Sequence, residues 1–468
     1  MTRKLLLRTG AWYSDRHMEV DIPPSWNVTI HAPHTSAPLT DDQIFTILEK
    51  PTGQAPLSKI LKGKSAPLII VDDLNRPTPA ERVMPFLLKY FHDAKIKPSS
   101  VTILMATGSH GKPPTDAFAK KIGDEAARSC NLMIHNCFHN VTKIGTTSFG
   151  TPVYVNKAVL NSDLVIGIGG IYPNHTAGFG GGSKLMLGLL GMRSIFQLHF
   201  RHQPVGWGSD GYDSDFRKDL NEIADMIGFN TSISLLVNDK REIFHMYCGN
   251  YNAYYRDAVE LCRKTFSTPP PSDADVVISN TYPNDLSLTF ARIKGFAPLY
   301  HSKPGASRIA IAVCSEGIGR HNIFPFLDIP RFHRLRHLMR RILTLSRHDI
   351  SQVILHRINR FIPLRKSRSQ SDRFNTSDSA LHLSHPIVLY RPGKHTDVLP
   401  SNIPNLTVVT QWSDVLKIIA HEQEHRSNLK VVVYPCAFLQ VWKSDIDSIN
   451  QTDNLRTLNS TESDKNVN

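Results

Sequence analysis

The chain has 468 residues, 41% hydrophobic and 20% charged, with five Trp, 13 Tyr and 21 Phe. That is material for two or three domains with ordinary cores, which excludes a small cross-linked scaffold and a chain disordered throughout. The formal net charge of +13 suggests nucleic acid until it is located: residues 331–373 hold 12 Lys/Arg against Asp349 and Asp372, so the basicity belongs to one segment and nucleic acid is not the expected partner.

No uncharged apolar run approaches the ~18 residues of a membrane span, and the three leucines at 5–7 fall short of a secretory core of at least ~7 apolar residues. The six cysteines, Cys130, Cys137, Cys248, Cys262, Cys314 and Cys436, form no CxxC pair, which argues against a disulfide framework or a structural zinc site. The expectation is a soluble protein of the reducing cytoplasm, with no membrane partner.

In chain order, short aliphatic and β-branched runs recur at 67–71, 101–105, 163–167, 232–237, 275–279, 308–313, 386–390, 406–410 and 429–434. They read as buried strands of mainly parallel α/β sheets. Between the first two, residues 80–94 carry Val83, Phe86, Leu87, Tyr90 and Phe91 at helical spacing, a crossover helix with Thr78 as its cap and Pro79 at its first position. After a helical stretch at 254–266, Pro269, Pro270 and Pro271 can neither extend a helix nor pair in a central strand. The boundary is placed there, giving a larger N-terminal α/β domain (1–268) and a C-terminal α/β domain (269–442). The second domain carries a basic helical insertion at 331–379, and 443–468 forms a polar, flexible tail.

Parallel α/β sheets place ligands beyond the C-terminal ends of their strands, and polar clusters fall there. The first is Asp72-Asp73-Leu74-Asn75-Arg76-Pro77-Thr78-Pro79, which suits an anion at a helix start beside Arg76. The second is the turn Ala106-Thr107-Gly108-Ser109-His110. The third, Gly167 to Lys184, is too glycine-rich for a regular element, since each glycine costs about 0.5–1 kcal/mol there, so a loop that lets something bulky approach its backbone is the economical reading. It fails the P-loop pattern, because Ser183 separates Gly182 from Lys184, and the Rossmann fingerprint, because Pro173 interrupts the helix start. What remains is a lysine on a glycine cradle beside His175, followed by His199 and His202. A lysine there can anchor a group covalently and an imidazole can ligate a metal. The fourth cluster runs from Asn280-Thr281-Tyr282-Pro283-Asn284-Asp285 to Lys294, which could pair with a substrate carboxylate across the cleft.

In this order the clusters resemble the nickel-pincer lactate racemase family. The matching motifs are D-x-x-R-P-T-P at Asp73 to Pro79, A-T-G-x-H at Ala106 to His110, the segment Gly145 to Pro152, A-G-F-x-G-G-x-K at Ala177 to Lys184, and Y-P-x-D leading to K-G in the second domain. The resemblance implies two α/β domains around a cleft and a pyridinium-3,5-bisthiocarboxylic acid mononucleotide carrying nickel. Lys184 would tether it, and Gly181 and Gly182 would let it approach. Asp73, Arg76 and Thr78 would bind its far end, and His199 or His202 would ligate Ni.

The implied reaction is inversion of C2 of a 2-hydroxy acid by hydride transfer, with His110 and His175 as acid/base groups and Arg76 and Lys294 on the substrate. Proteins that build the cofactor would be partners in the same cell. The sequence departs from the family pattern at Asn174, where the family has a histidine, and at Phe290 and Ala291 in the substrate pocket, so the substrate could be lactate or a larger acid. Two other readings are a nickel-free nucleotide-dependent oxidoreductase, transferase or inactive binder on the same fold, and a tethering role for residues 331–373.

Overall fold

The computed structural model describes residues 3–323, 385–393 and 403–442, together with Leu383 and Leu399. The basic insertion at 331–379 and the tail at 443–468 lie outside the described residues.

Two six-stranded sheets organise the chain. In the first the strand order is Ile243–Gly249, Phe229–Val237, Leu164–Gly170, Pro67–Asp72, Thr102–Ala106 and Asn131–Ile134, all parallel except the antiparallel first edge. In the second it is Leu406–Val409, Ile387–Tyr390, Ser307–Ile311, Val276–Asn280, Lys430–Tyr434 and Asn27–Ile30, parallel throughout. Successive residues of one strand feed opposite cores: Leu68 and Ile70 pack on one face of the first sheet, Ile69 and Val71 on the other. Burial on both faces is why these strands read as unbroken apolar runs rather than alternating ones.

All nine expected strands form. Those not anticipated include the short or alternating ones: 27–30, 131–134, 243–249 and the hairpins of Arg3–Thr9 with Arg16–Ile22 and of Val141–Thr146 with Pro152–Asn156. The crossover helix begins later than its pattern suggests. A 3-10 turn occupies Ala80–Arg82 and the α-helix runs Met84–Asp93, with Pro85 in its first turn, where a missing N–H costs nothing.

The chain also crosses the boundary drawn at 268. Leu5, Leu7, Val20, Ile22 and Trp26 share a core with Val276 and Ile278 of the second sheet, and Asp285 accepts hydrogen bonds from Thr9 Oγ1 and the Gly10 and Ala11 amides at 3.1, 2.7 and 3.1 Å. The hairpin strands and Trp26 thus pack with the second body, while Ala11 and Trp12 at the hairpin turn join the core of the first sheet. Among the described residues no helix is long and apolar enough to cross a membrane.

In each sheet the strand order reverses direction once. The reversal lies between Pro67–Asp72 and Leu164–Gly170 in the first, and between Val276–Asn280 and Lys430–Tyr434 in the second. These switch points open crevices at the strand C-termini, and the polar clusters of the sequence fall at them.

Candidate active site

At the first switch point the two adjacent aspartates divide their work. Asp72 lies against the next strand, accepting from the Gly170 amide (3.2 Å), the Thr78 hydroxyl (2.6 Å) and Lys121 Nζ (2.7 Å). Lys121 is wholly buried and also donates to the carbonyls of Arg76 (2.9 Å) and Thr78 (3.1 Å). Burial pushes Asp72 up and Lys121 down, and each pulls the other back. The pair therefore fastens the 72–79 turn from beneath. Thr78 is consumed in the same network, since its own proton goes to Asp72 and the Tyr172 hydroxyl lies 2.8 Å from its oxygen. This corrects one expectation: Thr78 does not cap the helix, which has no side-chain cap.

Asp73 points the other way. Its Oδ2 accepts from His110 Nδ1 at 2.6 Å and from Asn75 Nδ2 at 2.9 Å. Burial alone would raise this carboxyl, but His110 and Arg76 outweigh it and hold it at about 2. Burial lowers His110 against the pull of Asp73. The result is an ionised carboxylate that fixes a neutral imidazole with Nδ1 protonated and the lone pair on Nε2. Asp73 is the partner that orients His110.

The glycine loop is bound together by Arg217. This buried guanidinium donates to the carbonyls of Gly181 (3.0 Å) and Phe179 (2.8 Å) and to the Tyr255 hydroxyl. Gly182 has φ +56°, and a Cβ there would stand 2.9 Å from the Tyr255 ring. Gly181 and Gly182 thus let the chain turn tightly over that ring and deliver Lys184 to the cleft. Among the described residues Lys184 Nζ makes no hydrogen bond or ion pair, and its nearest aromatic face is Phe216 at 6.0 Å. Burial, with Arg76 and Arg217 adding repulsion, lowers its pKa to about 7. A sizeable fraction is therefore the free, nucleophilic amine at neutral pH.

The two histidines after the loop differ. His199, on the helix Met192–Arg201, donates Nδ1–H to the Ile195 carbonyl at 2.7 Å, which leaves Nε2 as the lone-pair nitrogen. Burial and the neighbouring Lys184 lower it to about 4. His202 sits just beyond the helix end, where its Nε2 is 2.8 Å from Asp219 and its ring packs edge-on to Phe149 and Phe216. His199 thus shares an electrostatic neighbourhood with Lys184 and His110, while His202 is tied to a buried carboxylate. Among the described residues no three His, Cys, Asp or Glu side chains converge as a metal site.

From the second body come Lys294, Phe290 and His321. Lys294 lies on a buried π-helical turn, Ala291–Gly295, with Nζ 5.0 Å from the Phe438 ring. Burial and repulsion from Arg76 and Lys184 push it well below the ordinary lysine range. Arg76, Lys184 and Lys294 thus repel one another from three chain segments, a repulsion that loss of a lysine proton or an incoming anion would relieve. Phe290 packs edge-on to His110, centroids 4.7 Å apart.

Asn174 stands apart from this group. Asn174 Oδ1 accepts from the amides of Thr176 and Ala177, both at 3.0 Å, so it shapes its own turn. Among the described residues the His175 ring makes no hydrogen bond or ring contact with His110 or Lys184, and its carbonyl accepts from the Gly206 amide at 2.9 Å. Lys121, Arg217 and His321 were not singled out from the sequence.

Residues 13–206 match the lactate racemase N-terminal domain. The lactate racemase of Thermoanaerobacterium thermosaccharolyticum is 26% identical over 293 residues, 61% of this chain and 68% of that protein. That of Lactiplantibacillus plantarum is 26% identical over 290 residues, 59% of this chain and 67% of that protein. Among solved structures, the Thermoanaerobacterium lactate racemase apoprotein superposes with a TM-score of 0.63 at 20% identity, covering 94% of this chain and all of that one. A Thermotoga maritima protein superposes with a TM-score of 0.57 at 16% identity, covering 88% of this chain and all of that one. At those identities the superpositions speak to the fold: two α/β bodies around a cleft.

Proposed function

With the chain a relative of the lactate racemases, we propose that it is a racemase or epimerase inverting C2 of a 2-hydroxy acid, lactate or a larger one. In this reading it uses a lysine-tethered nickel-pincer nucleotide. The observation that best supports it is Lys184, an amine held near neutrality without a hydrogen bond on a glycine cradle. The side chains fit the group. Lys184 would carry the tether, and His199 Nε2, its lone pair set by the Ile195 carbonyl, would ligate the nickel. His202, engaged by Asp219, is the weaker candidate.

When bound, the nucleotide supplies an acceptor for the C2 hydride. The protein does the rest. Arg76 and Lys294 bind the substrate carboxylate, whose charge relieves their mutual repulsion. Asp73 holds the His110 imidazole so that Nε2 takes the hydroxyl proton. Phe290 walls the site beside it. The partners in this reading are the small 2-hydroxy acid and the proteins that build the cofactor.

Asn174, standing where the family has a histidine and bonded to its own turn, favours a second reading, in which the same fold serves nickel-free nucleotide chemistry or binding alone. Intact mass and metal analysis separate the two, on protein co-produced with cofactor-building enzymes and compared with Lys184→Ala. The racemase reading expects a Lys184-dependent adduct of several hundred daltons and about one nickel per chain. No adduct and no nickel, in a host that loads a known lactate racemase, removes it.

A further inference from the structure

His110 and His321 pair as an antiparallel β-bridge. The Gly111 amide donates to the Arg320 carbonyl (3.0 Å) and the Asn322 amide to the Ser109 carbonyl (2.7 Å). This is the non-hydrogen-bonded register, in which opposed residues come closest and their side chains leave from one face. The ring centroids are 5.1 Å apart, and both rings pack against Phe290, at 4.7 and 5.8 Å. Residue 110 follows a strand of the first sheet and residue 321 a strand of the second. The bridge therefore sets one imidazole from each body side by side in the cleft.

The two rings hold their protons differently. His110 gives Nδ1–H to Asp73 and keeps its lone pair on Nε2. At His321 the Ile323 amide donates to Nδ1 (3.3 Å), which places the ring proton on Nε2. Burial, with His110, His199 and Arg76 adding repulsion, keeps His321 well below the ordinary imidazole range and therefore neutral. A neutral ring cannot release its last proton at reasonable cost, but it can donate a strong hydrogen bond to an oxygen that gains negative charge.

We propose that His321 is a catalytic residue supplied by the second body, a neutral donor whose Nε2–H holds the C2 oxygen of the bound 2-hydroxy acid while His110 Nε2 takes that oxygen's proton. The proposal rests on the racemase reading. Its balance closes: the O–H bond breaks as an N–H bond forms on His110, and the C2 hydrogen leaves with its electron pair to the pyridinium acceptor. The resulting carbonyl oxygen accepts from His321. On return the pair adds to C2, the proton goes back from His110 to oxygen, and His321 ends with the proton it began with. One base then serves both directions, in keeping with Asn174, bonded to its own turn, where the family has a histidine.

The test compares cofactor-loaded wild type with His321→Phe and His321→Gln on a panel of 2-hydroxy acids. Ring-nitrogen NMR of histidine-labelled, cofactor-free full-length protein supplies a readout that needs no turnover. Removing one such donor is expected to cost about 10²–10³ in kcat with KM little changed, and the glutamine amide should recover part of the loss. The NMR should show the Nε2–H tautomer for His321. If the wild type turns over and His321→Phe keeps kcat within about twofold, the role of His321 falls while the racemase reading stands. An Nδ1–H tautomer overturns it as well. A fully loaded wild type that racemises no 2-hydroxy acid removes the racemase reading and this inference with it.

Discussion

Replacing Lys184 with methionine should make the cofactor-free protein more stable, by an amount that depends on pH. The fold holds this amine at about 7, against 10.5 for a free lysine, through burial and the nearby guanidinium groups of Arg76 and Arg217. Below about 7 the folded chain keeps a charge its surroundings disfavour, whereas the unfolded chain binds the same proton freely. Between about 7 and 10.5 the unfolded state holds more protons than the folded one, so stability rises with pH and the penalty fades to nothing near 10.5.

At 1.36 kcal/mol per pKa unit the full penalty is about 5 kcal/mol. The side chain keeps some exposure, and water around it trims the figure to an expected gain of about 2–4 kcal/mol at pH 6, falling below about 1 near pH 10. Methionine matches the lysine stem in length, so packing should contribute little. Urea unfolding of both proteins at the two pH values reads the difference directly. A variant no more stable than wild type at pH 6, or a gap indifferent to pH, would show the amine to be solvated, and the argument that the fold prepares a nucleophile at Lys184 would fail.

Three further outcomes are expected. Asp73→Asn should lower kcat by about 10²–10⁴ with KM little affected, since His110 loses the partner that fixes its tautomer. It should also flatten stability at low pH, because a carboxyl held at about 2 rather than 3.8 contributes about 2 kcal/mol that is present above pH 4 and lost between about 4 and 2; acid titration monitored by circular dichroism checks this. His199→Ala should retain the Lys184 adduct but lose nickel. His202→Ala should keep its nickel and lose about 1–3 kcal/mol of stability, since Asp219 loses one of its two partners and keeps Thr151, and mass, metal and denaturation measurements on the two variants distinguish the roles. Finally, a carboxylate seated between Arg76 and Lys294 should raise the Lys294 pKa back toward the ordinary lysine range, so binding should take up protons in the pH range where the free amine titrates. Calorimetry in two buffers of different ionisation enthalpy measures that uptake, and Lys294→Met should abolish it.

The strands that were legible in the sequence are those buried on both faces, because unbroken apolar runs such as 67–71 have no other economical reading. The loops at their ends were legible for a related reason: Asp73, His110 and Lys184 stand where a sheet must leave polar groups uncovered. What escaped was whatever depends on distant pairing. His321 follows Gly317, Gly319 and Arg320 with no periodic pattern, and its place opposite His110 is decided by a bridge spanning more than two hundred residues. Lys121 reads as a solvated charge at the end of a short helix, and only the packing of that helix over the 72–79 turn buries it. Arg217 similarly reads as one charge among several on an exposed helix until the glycine loop folds over it. The glycine loop drew attention to His175, yet it is Asn174 whose side chain turns the backbone there.

The edge strand Asn27–Ile30 lies beside Lys430–Tyr434, and this gives the chain an awkward birth. At about 5–20 residues per second, a ribosome needs roughly 20–80 s after releasing the first of these strands to finish the second. Throughout that interval the hairpin and Trp26 have been made, while the strand that completes their shelter has not. The first sheet, whose strands all lie between 67 and 249, can close in the meantime. The earliest part of the polypeptide therefore waits longest for its place, and protein released early from the ribosome would be expected to expose a ready-made sheet edge to its neighbours.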